Sequence, residues 1–542
     1  MLRQQPLGPI PEDTARAVRA AFPKGHAYIR FVSVFEELYE YYDFSELYST
    51  LGQSAEHPAR LALVSILQFA EGLSDREAAD AVRRDLLWKY VLRLPIEDAG
   101  FDATVLSEFR DRLVANGQEQ LLFDKLLSLA QEKGLLKKSK QRTDSTFVFA
   151  RAKNLSRLEL VQEAMRHTLE VLAVAAPEWL QQILKPEWFE RYEQWGYNYR
   201  LAKTETKRKQ LIQDIGEDGF YLLSVIDRDM PGLKEIEAVS TLRRVWEEQF
   251  TPDDKGRPKF REVKDLAPSS ERIASPHDTD ARFGMKRTTE CMGYKIHLSE
   301  TFEEGAPHLI TNVETTPATT PDTVMLAVVH QSLSSRDMKP EEHFVDAGYT
   351  KAETMLSSRD QRGIDVIGPL TGGSSWQAKG NNGFDVSYFT IDFESKTVIC
   401  PQGVKNATWR ERKNRNTVEI VFPKENCLTC PFRTECTKSK DGPRHLEIKT
   451  QTAFEFAQQQ WQRERTDEFK QKYAKRSGIE GTQSQAANKG GMRRARYFGS
   501  AKVALQNFIG ATAINFRRIA SFLDGAPVAR TRQTRFQRLK VA

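Results

Sequence analysis

The fold is decided by the segment Gln141-Arg142-Thr143-Asp144-Ser145-Thr146-Phe147-Val148-Phe149, which predicts a β-strand near residues 138–150 that carries Asp144. A second acid, Asp346, ends the strand-like run His343-Phe344-Val345, and a third, Glu480, is predicted to lie on a helix. If the two strands are neighbours in one sheet, the three carboxylates can converge. Converging carboxylates repel one another unless cations neutralise them, and a pair of divalent ions in such a cluster is a common device for cutting phosphodiesters.

The acids alone leave a structural role open, because the chain has 74 acidic residues and an acid at a strand end is often a cap or an ion-pair partner. The residues near Glu480 favour a catalytic role over a structural one. Tyr473, Arg476 and Glu480 are spaced at i, i+3 and i+7, which places them on one face of a helix. Arg476 can orient the carboxylate and contact a phosphate, and Tyr473 can donate a hydrogen bond or stack on a base. The alternative is a surface Arg–Glu pair beside a core tyrosine.

Length and composition indicate a multidomain globular protein. The chain has 542 residues, of which 39% are hydrophobic and 28% charged. No apolar run of about 18 residues predicts a membrane span, and the first residues lack the apolar core of a secretory signal. Five cysteines in so long a chain do not suggest a secreted disulfide scaffold, so we expect the cytoplasm.

Positive charge is concentrated at the C-terminal end, although the net charge is only +6. From Lys489 onward the single acid is Asp524. A one-sided basic surface suits a polyanion, because each neutralised phosphate releases a condensed counterion. The alternative is a solvated basic end. The basic residues are Lys489, Arg493, Arg494, Arg496, Lys502, Arg517, Arg518, Arg530, Arg532, Arg535, Arg538 and Lys540.

The order of helical and strand-like patterns predicts an α/β protein with additional regions. Near the N-terminus, Ser74-Asp75-Arg76-Glu77 is a capping box, and the helices around it form either a DNA-reading helix pair or a plain bundle. The expected divisions are an N-terminal helical DNA-binding-type domain at 1–135, the first part of a catalytic core at 136–370 with a helical insertion at about 153–260, a β-rich insertion at 371–450, the last part of the core with the C-terminal helix at 451–523, and a basic tail at 524–542.

Four cysteines fall within the predicted β-rich insertion: Cys400, Cys427, Cys430 and Cys436. Cys427 and Cys430 form a CxxC pair, and Cys400 opens a knuckle-like Cys-Pro-Gln-Gly turn. A structural zinc ion with four cysteine ligands would stabilise a small subdomain that has little core. The spacing is loose, so reduced cysteines that merely pack are an equal alternative, and His445 is a candidate substitute ligand. Cys291 stands apart and is expected to be structural.

An ordered set of short motifs resembles the DDE transposases of bacterial insertion sequences, in the group with a Tyr-x2-Arg-x3-Glu signature. The resemblance covers nearly the whole chain and implies an RNase H-like mixed sheet with helices on both faces, magnesium as cofactor, and cutting and joining of DNA. Its motifs are Thr143-Asp144-Ser145-Thr146, Gly293-Tyr294-Lys295-Ile296-His297, Val345-Asp346-Ala347-Gly348-Tyr349, Arg476-x3-Glu480-Gly481, Arg493-Arg494-x-Arg496-Tyr497-x-Gly499 and Asn515, after an N-terminal segment from Leu61 to Arg110.

One position departs from this family. Relatives with the fuller signature place a lysine seven residues after the glutamate, where this chain has Ala487. Lys489 is close in sequence but would point in a different direction on a helix. The sequence therefore does not predict the DNA-hairpin route of excision that some relatives use.

The sequence leads to the hypothesis of a transposase in which Asp144 and Asp346 share two Mg²⁺ ions and Glu480 holds the second, with Mn²⁺ able to substitute. The expected partners are the double-stranded DNA of the element's terminal repeats and of the target, with a homodimer in the synaptic complex and no membrane. We expect a cytoplasmic protein that is nucleoid-associated when bound to DNA. The alternatives are an RNase H-like endonuclease without joining activity and a domesticated DNA-binding protein, which would not need three acids. The residues expected to position DNA are Tyr473, Arg476, Lys489, Arg493, Arg494 and Arg496.

Overall fold

The computed structural model describes residues 7–36, 44, 47–48, 55–193, 204–286, 288–370, 376–379 and 384–526, with the single residues 536 and 539. Five basic residues of the predicted tail lie outside the described residues: Arg530, Arg532, Arg535, Arg538 and Lys540. None of the helices in the described part of the chain has the length and apolar character needed to cross a membrane.

The described residues before the first strand are helical, as the sequence predicted. Ser74 and Glu77 form the predicted capping box: the Ser74 hydroxyl accepts from the Glu77 amide, and the Glu77 carboxylate accepts from the Ser74 amide at 2.7 Å. The helices are α1 (Glu12–Ala21), α2 (Ala27–Val34), α3 (Pro58–Glu71), α4 (Asp75–Arg84), α5 (Leu86–Val91), α6 (Thr104–Ala115) and α7 (Leu121–Glu132).

Strand β1 (Lys140–Phe149) follows, and it contains Asp144 as predicted. A helical region with its own hydrophobic core comes next, built around buried side chains such as Trp188 and Trp246. Its elements are α8 (Arg157–Ala175), α9 (Pro177–Ile183), α10 (Pro186–Tyr192), α11 (Glu205–Asp229), α12 (Glu237–Gln249), β2 (Phe250–Pro252) and β3 (Pro258–Phe260).

A mixed sheet carries the next elements. They are β4 (Arg282–Lys286), β5 (Thr289–Thr301), β6 (Ile310–Pro317), α13 (Met325–Ser335), β7 (Glu342–Phe344), α14 (Ala352–Arg362) and β8 (Asp365–Ile367). The strand order is β4-β5-β1-β7-β8, and β6 also pairs with β5. β1 is antiparallel to β5 and parallel to β7, which is parallel to β8. Mixed α/β architecture is therefore confirmed.

A small β-rich region follows the sheet. It holds α15 (Trp376–Lys379), β9 (Thr390–Asp392), β10 (Thr397–Ile399), β11 (Thr408–Arg412), β12 (Thr417–Val421), α16 (Lys424–Leu428), α17 (Arg433–Cys436) and β13 (His445–Lys449). The hairpin β9-β10 and the sheet β11-β12-β13 share a core that includes Val398, Ile420 and Phe422.

The chain ends in helices α18 (Gln451–Arg465), α19 (Asp467–Ala474), α20 (Ile479–Asn488) and α21 (Ser500–Leu523). α21 is apolar because it is buried between the N-terminal helices and the sheet: Phe31 packs edge-on against Phe516, and the Asn515 side chain bonds both backbone groups of Ile310 in β6. One continuous core thus joins the N-terminal helices, α21 and the sheet.

Candidate active site

Asp144 and Asp346 belong to neighbouring segments of the sheet. In the parallel pair β1–β7, Arg142 is opposite Phe344, and each acid comes two residues later in its own segment, so both lie toward the same end of this strand pair. Asp346 stands just beyond β7 rather than within it, because the chain turns there and its Oδ1 accepts the Gly348 amide at 2.9 Å. The prediction that these two acids belong to adjacent strands agrees with this arrangement.

Arg476 lies between Asp144 and Glu480. Its two terminal nitrogens each lie 3.4 Å from Oδ2 of Asp144, and Nη1 is 3.9 Å from Oε1 of Glu480. The side chains of Asp144 and Arg476 are 11% and 14% exposed, whereas that of Glu480 is 69% exposed. Arg476 therefore lies between the largely buried Asp144 and the exposed Glu480.

The electrostatics of the site follow from this arrangement. Burial alone would lower the pKa of Arg476, but Asp144, followed by Tyr473 and then Asp346, outweighs it and raises that pKa above its usual value. Burial raises the pKa of Tyr473, with the neighbouring Arg476 opposing the rise. Burial also raises the pKa of Tyr349 far above its usual value, reinforced by Asp144 and other acids nearby. Both tyrosines therefore stay neutral at physiological pH.

The segment with the Tyr-x2-Arg-x3-Glu spacing is helical, but it is not one regular α-helix as the sequence predicted. Tyr473 lies in α19, Arg476 in a 3-10 turn at Lys475–Gly478, and Glu480 at the start of α20. The tighter turn changes the angle between successive residues. Arg476 nevertheless stays next to both partners: it hydrogen-bonds Tyr473 and lies 3.9 Å from Glu480.

Arg142 holds that turn against β1. Its guanidinium donates to the Lys475 carbonyl at 2.7 Å and to the buried carboxylate of Glu300 at 2.7 Å. A Cβ on Gly478 would stand only 2.0 Å from Nη1 of Arg142, so the close approach requires glycine. Arg142 is 7% exposed and holds the turn that precedes Glu480 from inside.

A further acid that the sequence did not indicate lies beside the site. Asp322 accepts from Ser145 Oγ at 3.0 Å and from Lys295 Nζ at 2.9 Å. A Cβ on Gly348 would lie 3.4 Å from Oδ2 of Asp322 and 2.9 Å from Oδ1 of Asp346, so both carboxylates lie beside Gly348. Lys295 belongs to a motif that the sequence singled out, but Asp322 resembles an ordinary acid before a helix and offered no signal.

The residues predicted to position DNA divide into two groups. Lys489, Arg493 and Arg494 are exposed, and Arg493 Nη1 lies 3.4 Å from the hydroxyl of Thr146, two residues beyond Asp144 in β1. Arg496 is half-buried, and its guanidinium donates to the carbonyl of Leu73.

Much of the remaining basic C-terminal segment also serves internal contacts. Arg517 donates to the Ala70 carbonyl at 2.7 Å, Arg518 pairs with Glu300 at 2.8 Å, and Lys502 pairs with Asp111 at 2.7 Å. The one-sided charge of this segment is thus a poor guide to its surface.

Among the residues that the structure describes, no three histidine, cysteine or acidic side chains are grouped closely enough to hold a metal ion as they stand. Asp144, Asp346 and Glu480 nevertheless offer the hard oxygen ligands that suit Mg²⁺ or Mn²⁺. Arg476 supplies the positive charge between two of them in this arrangement. The residues therefore fit a divalent ion if the Arg476 guanidinium moves away from Asp144.

The four cysteines of the β-rich region line a single cavity of about 230 Å³. None of them forms a disulfide. Burial raises the pKa of the Cys436 thiol, and the other three thiols are near enough to act in the same direction. His445 does not line the cavity, so it is not a substitute ligand there. Cys291 is buried in the sheet, 3.8 Å from the Val148 carbonyl, as expected of a structural cysteine.

Comparison with known families agrees with the resemblance seen in the sequence. Residues 399–520 match the family model described as a transposase DDE domain, and residues 16–112 match a transposase domain known as DUF772. The two matches indicate an insertion-sequence DDE transposase. The DDE match includes Arg476, Glu480 and the four cysteines, whereas Asp144 and Asp346 precede it. Searches of curated proteins and of solved structures found no match.

Proposed function

We propose that this transposase cuts DNA at the ends of its insertion sequence and joins the freed ends to target DNA, with Asp144, Asp346 and Glu480 as its catalytic acids. The observation that carries the proposal is that one arginine links acids from distant parts of the chain. Arg476 contacts Asp144 and lies 3.9 Å from Glu480, and Asp346, which follows the strand paired with that of Asp144, also acts on its charge.

The arrangement of the sheet supports an RNase H-like core. The strand with the first acid lies inside the sheet, with an antiparallel neighbour on one side and a parallel neighbour, followed by the second acid, on the other. α20 brings the third acid from the C-terminal part of the chain. The helical region at 157–249 and the β-rich region at 384–449 are proposed to be insertions in this core.

Two Mg²⁺ ions, for which Mn²⁺ can substitute, fit the donor set: Asp144 and Asp346 would share them, and Glu480 would hold the second. Such ions, when bound, activate the attacking oxygen and stabilise the leaving oxygen of the phosphodiester. Glu480 is the most exposed of the three acids and stands on a short helix after a turn, so it can adjust to a bound ion with little rearrangement.

Arg476 has two successive roles in this proposal. Without metal, its guanidinium neutralises Asp144 and lies near Glu480. Once the acids bind metal, the same side chain is free to turn toward the DNA, where its planar donors suit a phosphate. Tyr473, half-buried in the preceding helix, limits the directions in which Arg476 can turn.

The exposed cations Lys489, Arg493 and Arg494 are proposed to hold the DNA backbone beside the acids. Arg493 contacts Thr146, which is about 7 Å along the strand from Asp144 at the usual rise per residue. Phosphates one step from the scissile bond lie at a similar distance. We propose that terminal repeats and target DNA follow this surface and that a homodimer holds two ends in the cytoplasm, at the nucleoid.

The test is an assay with DNA carrying the ends of the element, a supercoiled target plasmid and Mg²⁺. Asp144→Asn, Asp346→Asn and Glu480→Gln should each abolish cleavage and joining while leaving DNA binding intact. Asp467→Asn is a matched control, because Asp467 is an exposed acid in α19 that pairs with Lys470 at 3.0 Å. Full joining activity in any of the three variants would refute the assignment. If the wild-type protein gives cleaved ends without joined products, it is a nuclease. If the wild-type protein binds DNA without cleaving it, it is a DNA-binding protein.

A further inference from the structure

Four thiols line one cavity in the β-rich region, far along the chain from the first two acids, although in their present positions no three of them are grouped closely enough to hold an ion. Cys400 follows β10, Cys427 and Cys430 lie in and just after α16, and Cys436 ends α17, yet all four line the same space. A convergence from three separate segments needs an explanation, because packing alone does not favour cysteine over other small side chains at four positions.

The backbone around the thiols has the form of ligand-bearing turns. Gly403 takes a positive φ of 78° and donates to the Cys400 carbonyl at 2.8 Å, which closes a tight turn after that cysteine. The Arg444 amide donates to Sγ of Cys427 at 3.4 Å. A backbone N–H aimed at sulfur stabilises a thiolate better than a neutral thiol.

Two arginines supply positive charge at the same cavity. Arg444 lines it with its Nε buried and, within the described part of the chain, without a hydrogen-bond partner. Arg433 also lines it and donates to the carbonyls of Cys427, Ser439 and Gly442. A zinc ion with four thiolate ligands carries a net charge of about −2, so two guanidinium groups nearby would balance it.

The region has little else to stabilise it. Its buried apolar core consists of a few side chains: Phe389, Val398, Val418, Ile420, Phe422, Leu446 and Ile448. In regions below roughly 70–80 residues a single core supplies only a few kcal/mol, and a disulfide or a metal often adds stability; the five cysteines of the described chain are all unbridged.

We propose that Cys400, Cys427, Cys430 and Cys436 bind one structural zinc ion that joins the hairpin β9-β10 to α16 and α17. Binding releases the thiol protons and draws the sulfurs to about 2.3 Å from the ion, which closes part of the cavity. The site stabilises the region and takes no part in DNA cleavage, so it stands independently of the proposed catalytic acids.

The test is the zinc content of the full-length protein, purified without added metal and measured by mass spectrometry. One zinc ion per chain is expected, and it should fall to near zero in Cys427→Ser and Cys430→Ser. Cys291→Ser is the matched control, since this buried cysteine lies in the sheet. The Cys291→Ser protein should still contain one zinc ion per chain.

A second measurement covers variants that fail to fold. Titrating the wild-type protein with a thiol-modifying mercurial should release zinc in proportion to four modified thiols, and chelation should lower its Tm until zinc, but not magnesium, is restored. Wild-type protein from zinc-supplemented cells that carries no zinc, or that contains disulfides between these cysteines, would overturn the proposal.

Discussion

Both terminal nitrogens of Arg476 stand 3.4 Å from one carboxylate oxygen of Asp144, across a chain separation of 332 residues. The contact is longer than a strong charge-assisted hydrogen bond. Arg476 therefore neutralises the acid without holding it firmly. A metal ion competes with this arginine for the same oxygen.

Replacing Arg476 with glutamine should therefore separate metal binding from catalysis. The acids lose a competing cation, so Mn²⁺ should bind more tightly, while DNA cleavage should fall by about 100-fold because a donor to the phosphate is lost. Calorimetric titration with Mn²⁺ and the cleavage rate measure the two effects. Weaker Mn²⁺ binding in Arg476→Gln would show that the arginine supports the acids instead of competing with the ion.

Gly478→Ala should displace the turn that carries Arg476. The new methyl group would collide with the guanidinium of Arg142, which is held by Glu300 and the Lys475 carbonyl, so we expect a loss of about 1–3 kcal/mol in unfolding free energy and a larger relative loss of activity. Gly481→Ala is the control: a Cβ there meets nothing within 4 Å. Equal behaviour of the two variants would contradict this role of the turn.

Glu300→Gln should strongly destabilise the protein. The Glu300 side chain is fully buried between Arg142 and Arg518, each within 2.8 Å, and these two cations hold the pKa of its carboxyl below the usual value despite burial. Removing its charge leaves the buried guanidinium of Arg142 and the partly buried one of Arg518 unbalanced, which costs roughly 3–5 kcal/mol. Urea unfolding measures the loss. The exposed pair Glu205–Lys209 provides the control, because Glu205→Gln should leave stability nearly unchanged.

Acid should destabilise the fold through His330. This side chain is buried between His343 and Ser358, and burial lowers its pKa from the usual 6.5 to about 4. The neutral form is therefore favoured in the folded state. The resulting contribution to the free energy of unfolding is complete above about pH 6.5 and decreases as the pH falls toward 4. The loss of unfolding free energy reaches about 2 kcal/mol by pH 5.

Urea unfolding between pH 7.5 and 5 checks this prediction. His330→Gln should reduce the slope of the pH dependence without abolishing it, because burial also lowers the pKa of His343 well below its usual value. His445→Gln, at an exposed position on β13, should leave the slope unchanged. An unaltered slope in His330→Gln would mean that other groups cause the acid sensitivity.

The first strand and its acid were predictable from the sequence because the signal for β1 lies within the strand itself, where polar residues precede an apolar run of strand-forming residues. The position of Asp346 beside Asp144 was not derivable, since parallel strands pair through tertiary contacts across a long crossover. The two acids could be proposed as neighbours only from their context.

The turn before α20 shows why local periodicity misled at the third acid. The spacing of Tyr473, Arg476 and Glu480 suits an α-helix, but Arg142 takes the Lys475 carbonyl as an acceptor and packs against Gly478, so a 3-10 turn forms instead. Basic residues misled in a similar way. Charge is visible in a sequence, whereas the internal acceptors that Arg496 and Arg517 use are supplied by helices far away in the chain.

Joint metal binding by Asp144, Asp346 and Glu480 is tested most directly by anomalous X-ray scattering from crystals of the DNA-bound protein soaked in Mn²⁺. The expected result is manganese between the carboxylates of Asp144 and Asp346, with Glu480 at about 2.0–2.2 Å from one ion and Arg476 turned away from Asp144. At saturating Mn²⁺, manganese bound elsewhere, or Arg476 still paired with Asp144 and no ion between the acids, would contradict it.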